Sequence, residues 1–376
     1  MKKVFNYSYE KLKKFSEDAF VKFGFSKKES EIIADVLLAS DVYGIDSHGI
    51  QRLVRYHKSI EQGLINIGAK PEIISETPVS AVLDGHNGMG QLIGYEAMNL
   101  AIEKAKKTGM AIVCVRNSNH YGIAGYYANM ASNEGLIGIS MTNSKAIMVP
   151  TFGKKAMLGS NPIAVSMPAN PYNFFFDSST TVVTRGKLEL YNKHEKPLPC
   201  NWAMNAAGNT STDAHEVLEN ITAGSGGGIL PLGGASEQYG SHKGYGYGML
   251  CEIFTSVLSM GDTSVHTYKN GKGGICHCFA AINPEIFGNA DDIIKQLSTL
   301  LRELRESPKA EGAERIYTHG EKEHFASIVR MKNGIDVDIN TVTEMVDLCS
   351  TLDMDIEEYL GTEAALLPRK KSTYQM

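Results

Sequence analysis

No apolar run in the sequence reaches the roughly 18 to 20 residues needed to cross a bilayer, so no transmembrane span and no membrane partner are expected. A secretory leader is not expected either, because the lysines of "MKKVFNYSYEKLKKF" are followed by no long apolar stretch. Clustered positive charge is also missing. The formal net charge is -5 and the pI near 6.1, whereas a nucleic-acid partner demands a concentrated cationic surface. "KLKK" at 11–14 and "RKKS" at 369–372 are too short to supply one and read as solvated faces or tail. No internal repeat or low-complexity tract breaks the chain.

Cysteine is sparse. Of Cys114, Cys200, Cys251, Cys276, Cys278 and Cys349, most sit inside apolar runs, as buried reduced thiols do. That usage implies a reducing compartment, the cytoplasm. "CHC" at 276–278 raises a zinc centre. In a strand, however, His277 would face away from both cysteines, and no second ligand pair stands at metal spacing. No metal is expected.

What is present is a chain of 376 residues, 43% hydrophobic and 21% charged, long enough for two lobes with substantial cores. Apolar positions at helical spacing predict helices over 9–25 and 27–42, with Ser26 capping the second. Asp46 or Ser47 would cap a third helix running to about Glu61, so residues 1–65 read as helical. Strand signals follow in "VSAVLD", "MAIVCVRN", "LIGISMTNS", "PIAVSMPA" and "NFFFDSS", then again in "ICHCFAAIN". Helical spacing separates them only at "GYEAMNLAIEKAKK" and over 246–261. Residues 205–234 are glycine-rich and read as a surface excursion, and the tail from 290 returns to helix. The fold class is α/β (α+β): helical ends around a mixed or antiparallel sheet.

"VLDGHNGMGQLIGYEAMNLAIEKA" invites a dinucleotide-binding βαβ reading. Gly88, Gly90 and Gly94 give G-x-G-x-x-x-G, one residue longer than the fingerprint allows. The next strand ends in "VRNSN", where an acid for the ribose would be required. The stretch reads as a glycine-rich turn into a helix and not as a Rossmann nucleotide site.

Two other stretches carry chemistry. In "SDVYGIDSHGIQRLVRY", residues 40–56, His48, Arg52 and Tyr56 fall at i, i+4 and i+8, on one face of the expected third helix. An arginine fork, a helix start and a phenol together make a receptor for a carboxylate. A capped helix with a solvated arginine and a half-buried tyrosine fits the same residues. In "VRNSNHYGIAGYY", residues 115–127, His120 leaves a strand onto a glycine-flanked turn, where an imidazole can exchange protons near neutrality. A purely structural histidine is the alternative there.

"GIDSHGIQRLVRY", "VRNSNHYGIAGYYA", "LGSNPIAVSMPA" and "GSHKGYGYGML" resemble the malate/L-lactate dehydrogenase family of the non-Rossmann type, which includes sulfolactate, ureidoglycolate and diketogulonate oxidoreductases. The resemblance runs from about residue 5 to about 330. It implies a helical domain from both chain ends (1–75 and 291–376) against a mixed-sheet cofactor domain (76–290). It implies an NAD- or NADP-dependent oxidation of a 2-hydroxy acid, malate first, by a cytoplasmic homodimer. His120 would exchange the hydroxyl proton, with His48 as the second candidate for that role. Ser47, His48, Arg52 and Tyr56 would hold the substrate carboxylate. Ser144, Asp177, Ser178, Ser179, Lys243, Gly244, Gly320, Glu321 and Lys322 would hold the cofactor. Lys145 and Phe152 depart from the family pattern, which has smaller or prolyl residues there. A silent nucleotide-binding protein on the same fold, and a hydrolase with a metal between His48, His120 and a carboxylate, are the competing classes.

Overall fold

The computed structural model describes residues 4–269 and 271–368; "RKKS" lies outside them. The chain opens with β1 (Val4–Tyr7), then α1 (Tyr9–Phe23) and α2 (Lys27–Val42). Ser26 and Glu29 close a reciprocal capping box at the start of α2: the Glu29 N–H donates to Ser26 Oγ at 3.3 Å, and the Ser26 N–H donates to Glu29 Oε2 at 2.9 Å. Helix α1 buries Leu12, Phe15, Ala19 and Phe20 on one face. Its "KLKK" run is a solvated face, where Lys13 and Lys14 pair one turn on with Glu17 and Asp18.

The expected third helix is broken. Two 3₁₀ turns, Asp46–His48 and Ile50–Arg52, precede α3 (Leu53–Glu61), and no side chain caps either turn or the helix. The break sits at Gly49, where a Cβ would lie 2.0 Å from Asp41 Oδ1. Close packing against Asp41, which local helical spacing does not reveal, decides the backbone there.

A seven-stranded mixed sheet follows. It is built from β2 (Glu72–Thr77), β3 (Ser80–Asp84), β4 (Met110–Ser118), β5 (Ile137–Thr142), β6 (Ile163–Met167) and β7 (Phe174–Ser178), joined later by β11 (Ile275–Ile282). Its order is β2-β3-β4-β11-β5-β6-β7, and only β3 and β4 run parallel. Helix α4 (Gly90–Thr108) connects that parallel pair, and α5 (Ala124–Asn133) packs beside it. Small residues on α4 and α5 (Ala97, Ala101, Ala128, Ala131) let both helices sit close to Val113, Val115, Phe279 and Ala281 of the sheet.

The glycine-rich stretch 205–234 is more than an excursion. With its neighbours it holds α6 (Arg185–Lys193), β8 (Ala203–Met204), β9 (Thr210–Ser211), α7 (Ala214–Ala223) and β10 (Gly228–Ile229). Val217, Leu218, Ile221, Ile229 and Leu188 give this unit its own small core. Helix α8 (Ser241–Glu252) runs on through a π turn at Ile253–Val257 before β11.

Beyond the sheet come α9 (Ala290–Glu306), α10 (Glu321–Asn333), β12 (Ile335–Asp338) and α11 (Ile339–Leu352). β12 pairs antiparallel with β1, so residues 1–65 are not wholly helical. Phe5, Tyr7, Phe15, Phe20, Leu53 and Tyr56 share one core with Ile335, Val337, Val342, Met345 and Val346. Both chain ends therefore close over the base of α3. Helix α9 packs elsewhere, with Ser298 bonded to Asn170 and Arg305 to Thr318.

Candidate active site

His120 stands two residues beyond the end of β4, and three constraints fix its backbone. Ser118 Oγ lies 2.9 Å from Nε2 of His277, whose Nδ1 lies 2.8 Å from Thr142 Oγ1, so one buried imidazole ties the ends of β4 and β5 together. The Asn119 amide donates to the carbonyl oxygens of Leu64, Asn87 and Gly88 at 2.9–3.0 Å. Gly90 opens α4 so close to the turn that a Cβ would stand 2.3 Å from the Asn119 oxygen and 2.4 Å from the His120 oxygen. Of the glycines that fail as a dinucleotide fingerprint, Gly88 and Gly90 thus serve to seat the histidine.

His277 is fully buried and both its ring nitrogens face hydroxyls. Among the described residues no group of three or more His, Cys, Asp or Glu side chains could hold a metal ion.

Five of the expected residues form one connected group. Tyr56 Oη lies 2.7 Å from His120 Nδ1, and the His48 and His120 rings stack with centroids 5.6 Å apart. Ser47 Oγ meets His48 Nδ1 at 2.9 Å, and Arg52 Nε donates to the Ser47 carbonyl at 2.6 Å. His48 and Tyr56 reach His120 although the turns that carry them are not one helix. The loop is anchored from behind: the Ile50 N–H donates to Asp41 Oδ2 at 2.7 Å, and Arg330 donates to the Asp41 carbonyl and pairs with Asp46.

The electrostatics keep the site neutral at its centre. Burial, and then the charges of Arg52 and Arg55, push His48 down to about 3. His120 is held well below its ordinary value by burial first, then by Arg55, His48, Arg52 and His277. Burial lifts Tyr56 to about 12, so it stays a phenol. Burial also lifts Asp41 to about 8, against the pull of the Ile50 N–H.

The expected cofactor residues divide into two groups. Ser144 Oγ accepts from the Ser160 N–H at 3.0 Å, and the Thr180 N–H donates to the Ser160 carbonyl at 2.9 Å. The Leu232 N–H donates to the Thr180 carbonyl at 3.0 Å, and Gly244 lies against the Leu232 backbone. Ser144 and Gly244 are therefore linked through consecutive contacts, with Ser178 and Ser179 just before Thr180 in the chain and Lys243 just before Gly244. Asp177 sits at the first turn of α5, its Oδ2 accepting from the Gly125 N–H at 2.7 Å, and burial lifts its carboxyl to about 6.

Gly320, Glu321 and Lys322 stand apart from that run. Gly320 packs on Asn173 and Phe175, at the far end of β7 from Asp177. Glu321 is fully buried, pairs with Arg315 and accepts from the Thr318 N–H, while Lys322 Nζ lies 4.7 Å from the Tyr317 ring.

The donor set suits a dinucleotide phosphate at the start of α8. Lys243 and Gly244 border a cavity of about 370 Å³ together with Gly233, Gly240, His242 and Tyr247. Lys243 is exposed and pairs with no described residue. An ammonium at the positive end of a helix dipole favours an anion, and a side chain at Gly244 would collide with the Leu232 backbone at 2.3 Å.

The sequence reading missed Arg55, Asn119, His277 and Gly90 as parts of the site. Arg55 alone left a signal, lying three residues beyond Arg52 on the same helical stretch.

Residues 7–346 match the family described as malate/L-lactate dehydrogenase. The malate dehydrogenase of Pyrococcus abyssi is 43% identical over 341 residues, covering 90% of this chain and 92% of that protein. The L-sulfolactate dehydrogenase of Methanocaldococcus jannaschii is 37% identical over 361 residues, with 93% and 98% covered. The crystal structure of malate dehydrogenase from Entamoeba histolytica superposes with a TM-score of 0.91 at 40% identity, covering 94% of this chain and 99% of that one.

Proposed function

The chain belongs to the malate/L-lactate dehydrogenase family of oxidoreductases, and from that premise we propose that it interconverts malate and oxaloacetate with NAD, NADP being the second cofactor to test. The observation that carries the reading is the 2.7 Å contact of Tyr56 with His120, backed by Ser47, His48 and Arg52. The placement of the site supports it: Asp177 and Ser178 end β7, Ser144 and Ser179 follow strands of the same sheet, and the chain ends close over α3.

The nicotinamide group supplies the hydride acceptor or donor. The chain's own residues manage the proton and the anionic substrate. When the hydroxyl at C2 is oxidised its proton must leave, and His120 is the neutral imidazole in reach of the cleft. Tyr56 Oη and the Gly122 N–H both meet Nδ1, and Nε2 bonds to no described residue. Proton exchange at Nε2 uses the tautomer in which Nδ1–H donates to the Tyr56 oxygen, in place of the long 3.4 Å contact from the Gly122 N–H. Arg52, oriented by the Ser47 carbonyl, is placed to fork onto the C1 carboxylate, with His48 and Tyr56 beside it. An arriving carboxylate also offsets the positive charges that depress His120, which raises its basicity when a base is needed.

A homodimer belongs to the same proposal. Tyr247, Leu250, Ile253, Val257, Leu258 and Met260 are exposed along α8 and its extension, an apolar surface that a second copy would cover. Among the described residues no helix is long and apolar enough to cross a membrane.

The test follows NADH consumption with oxaloacetate, pyruvate, sulfopyruvate and oxalurate in parallel, repeated with NADPH. A dominant rate with oxaloacetate supports the reading, and a dominant rate with another acid moves the assignment to it. No rate with any, alongside intact NADH binding, leaves the silent binding protein. Arg52→Ala should raise KM for the 2-oxo acid at least about tenfold, and an unchanged KM would remove its carboxylate role.

A further inference from the structure

Arg52 accounts for one carboxylate, yet more positive charge acts on the same two histidines. Arg55 immediately precedes Tyr56 on α3, and Lys145 follows Ser144 in the loop after β5; both are half-buried. Neither makes a hydrogen bond or ion pair with any described residue. The Arg55 charge acts on His48, His120 and Tyr56, and it acts on Lys145 together with that of Arg185. The clustered cations therefore repel one another beside two neutral imidazoles. Nearby carboxylates do not compensate them: Glu189 pairs with Arg185 at 2.9 Å, and Asp46 with Arg330. Half-buried charges without counter-ions are costly, and such an arrangement is relieved by an anionic ligand.

We propose that Arg55 and Lys145 form a second anion subsite, which receives the acidic group at the far end of a dianionic 2-oxo or 2-hydroxy acid. This rests on the dehydrogenase reading above and deepens it. Arg52 takes the carboxylate next to the reacting carbon, and the second subsite makes the enzyme select substrates with an acid group beyond it. A carboxylate or a sulfonate meets the same chemistry, because both present charged oxygens to a guanidinium fork and an ammonium. A substrate ending in a methyl group leaves both cations unpaired and is rejected.

The experiment compares oxaloacetate with 2-oxobutyrate, in which a methyl group replaces the far carboxylate. Their ratio of kcat/KM is the readout, so any change in His120 basicity cancels. The wild type should favour oxaloacetate by at least about a hundredfold. Arg55→Leu and Lys145→Met should each cut that ratio about ten- to a hundredfold, mainly through KM for oxaloacetate, and Arg55→Lys should keep part of it. NADH binding, followed by fluorescence, should change less than about twofold. If Arg55→Leu does not fold, Arg55→Lys and Lys145→Met carry the test. An unchanged ratio in the variants overturns the subsite, and weakened NADH binding reassigns the cations to the cofactor. A wild type inactive on every 2-oxo acid removes the dehydrogenase reading itself, and the subsite with it.

Discussion

Acid should loosen the junction that carries His120, and the effect can be sized from His277. This imidazole is fully buried, stacks on Tyr121 at 4.3 Å between centroids, and joins Thr142 to Ser118. Burial pushes it down to about 3 from an ordinary 6.5. Between those values the unfolded chain binds a proton that the native state refuses. The stability associated with neutral His277 is therefore intact above about pH 6.5 and drains away as the pH falls. At about 1.36 kcal/mol per pH unit, the loss reaches about 2 kcal/mol at pH 5. His277→Gln keeps a polar side chain without a titrating one. It should cost about 1–2 kcal/mol at pH 8 through the lost bonding and stacking, yet the gap to wild type should close at about pH 5. Urea denaturation of both proteins at the two pH values measures this, because carboxylate titration elsewhere is common to both. A gap that stays constant within about 0.5 kcal/mol would show that His277 is not held neutral, and the account of the β4–β5 junction would fail.

Three further outcomes are expected. His120→Ala should lower turnover at least about a hundredfold with NADH binding nearly unchanged; in the wild type, the reductive kcat/KM should climb as pH falls from about 8 to 6, because so little free enzyme carries a charged His120 at neutrality, and a flat profile argues against the neutral resting state. Gly90→Ala should cost about 1–3 kcal/mol and most of the activity, since the new methyl meets the His120 carbonyl at 2.4 Å and cannot move aside from backbone; wild-type turnover in this variant would show that the α4 start does not position the histidine. Asp41→Asn should match wild type near pH 4 and be the more stable of the two at pH 8, because a buried carboxyl raised to about 8 loses stability as pH climbs from the unfolded value toward that point, and the amide does not titrate; thermal melts at the two pH values check the sign.

Much of this could be read from the sequence where the signal is local. The Ser26–Glu29 capping box, the helical spacing of α1 and α2, and the punctuated apolar runs of β5, β6 and β7 each depend on a few neighbouring residues. What was lost depends on distant partners. β1 is four residues whose pairing partner lies more than 300 positions away. The third helix breaks because Gly49 must lie against Asp41, and helical spacing carries no trace of that contact. In 205–234, Asp213 caps α7, and Val217, Leu218 and Ile221 keep helical spacing, but the surrounding glycines masked a small core. The Tyr56–His120 contact joins residues 64 apart; from the residues alone each had an ordinary structural explanation, and only the family resemblance drew them together.

Charge explains why these pieces form one device. Arg52 at the end of the second 3₁₀ turn, Arg55 on α3 and Lys145 after β5 would be a poor way to stabilise an empty fold, and the two arginine charges add to burial in suppressing protonation of His48 and His120. The same suppression keeps His120 available as a base. An anionic substrate reverses the balance on arrival: each negative group offsets one cation and raises the proton affinity of the imidazole beside it. A dianion does so twice, so binding and proton affinity grow together with the charge of the substrate. A neutral molecule of the same shape would leave Arg55 and Lys145 unpaired and the imidazole a weaker base. In the proposed reading, selectivity and catalysis in this site therefore draw on a single electrostatic imbalance.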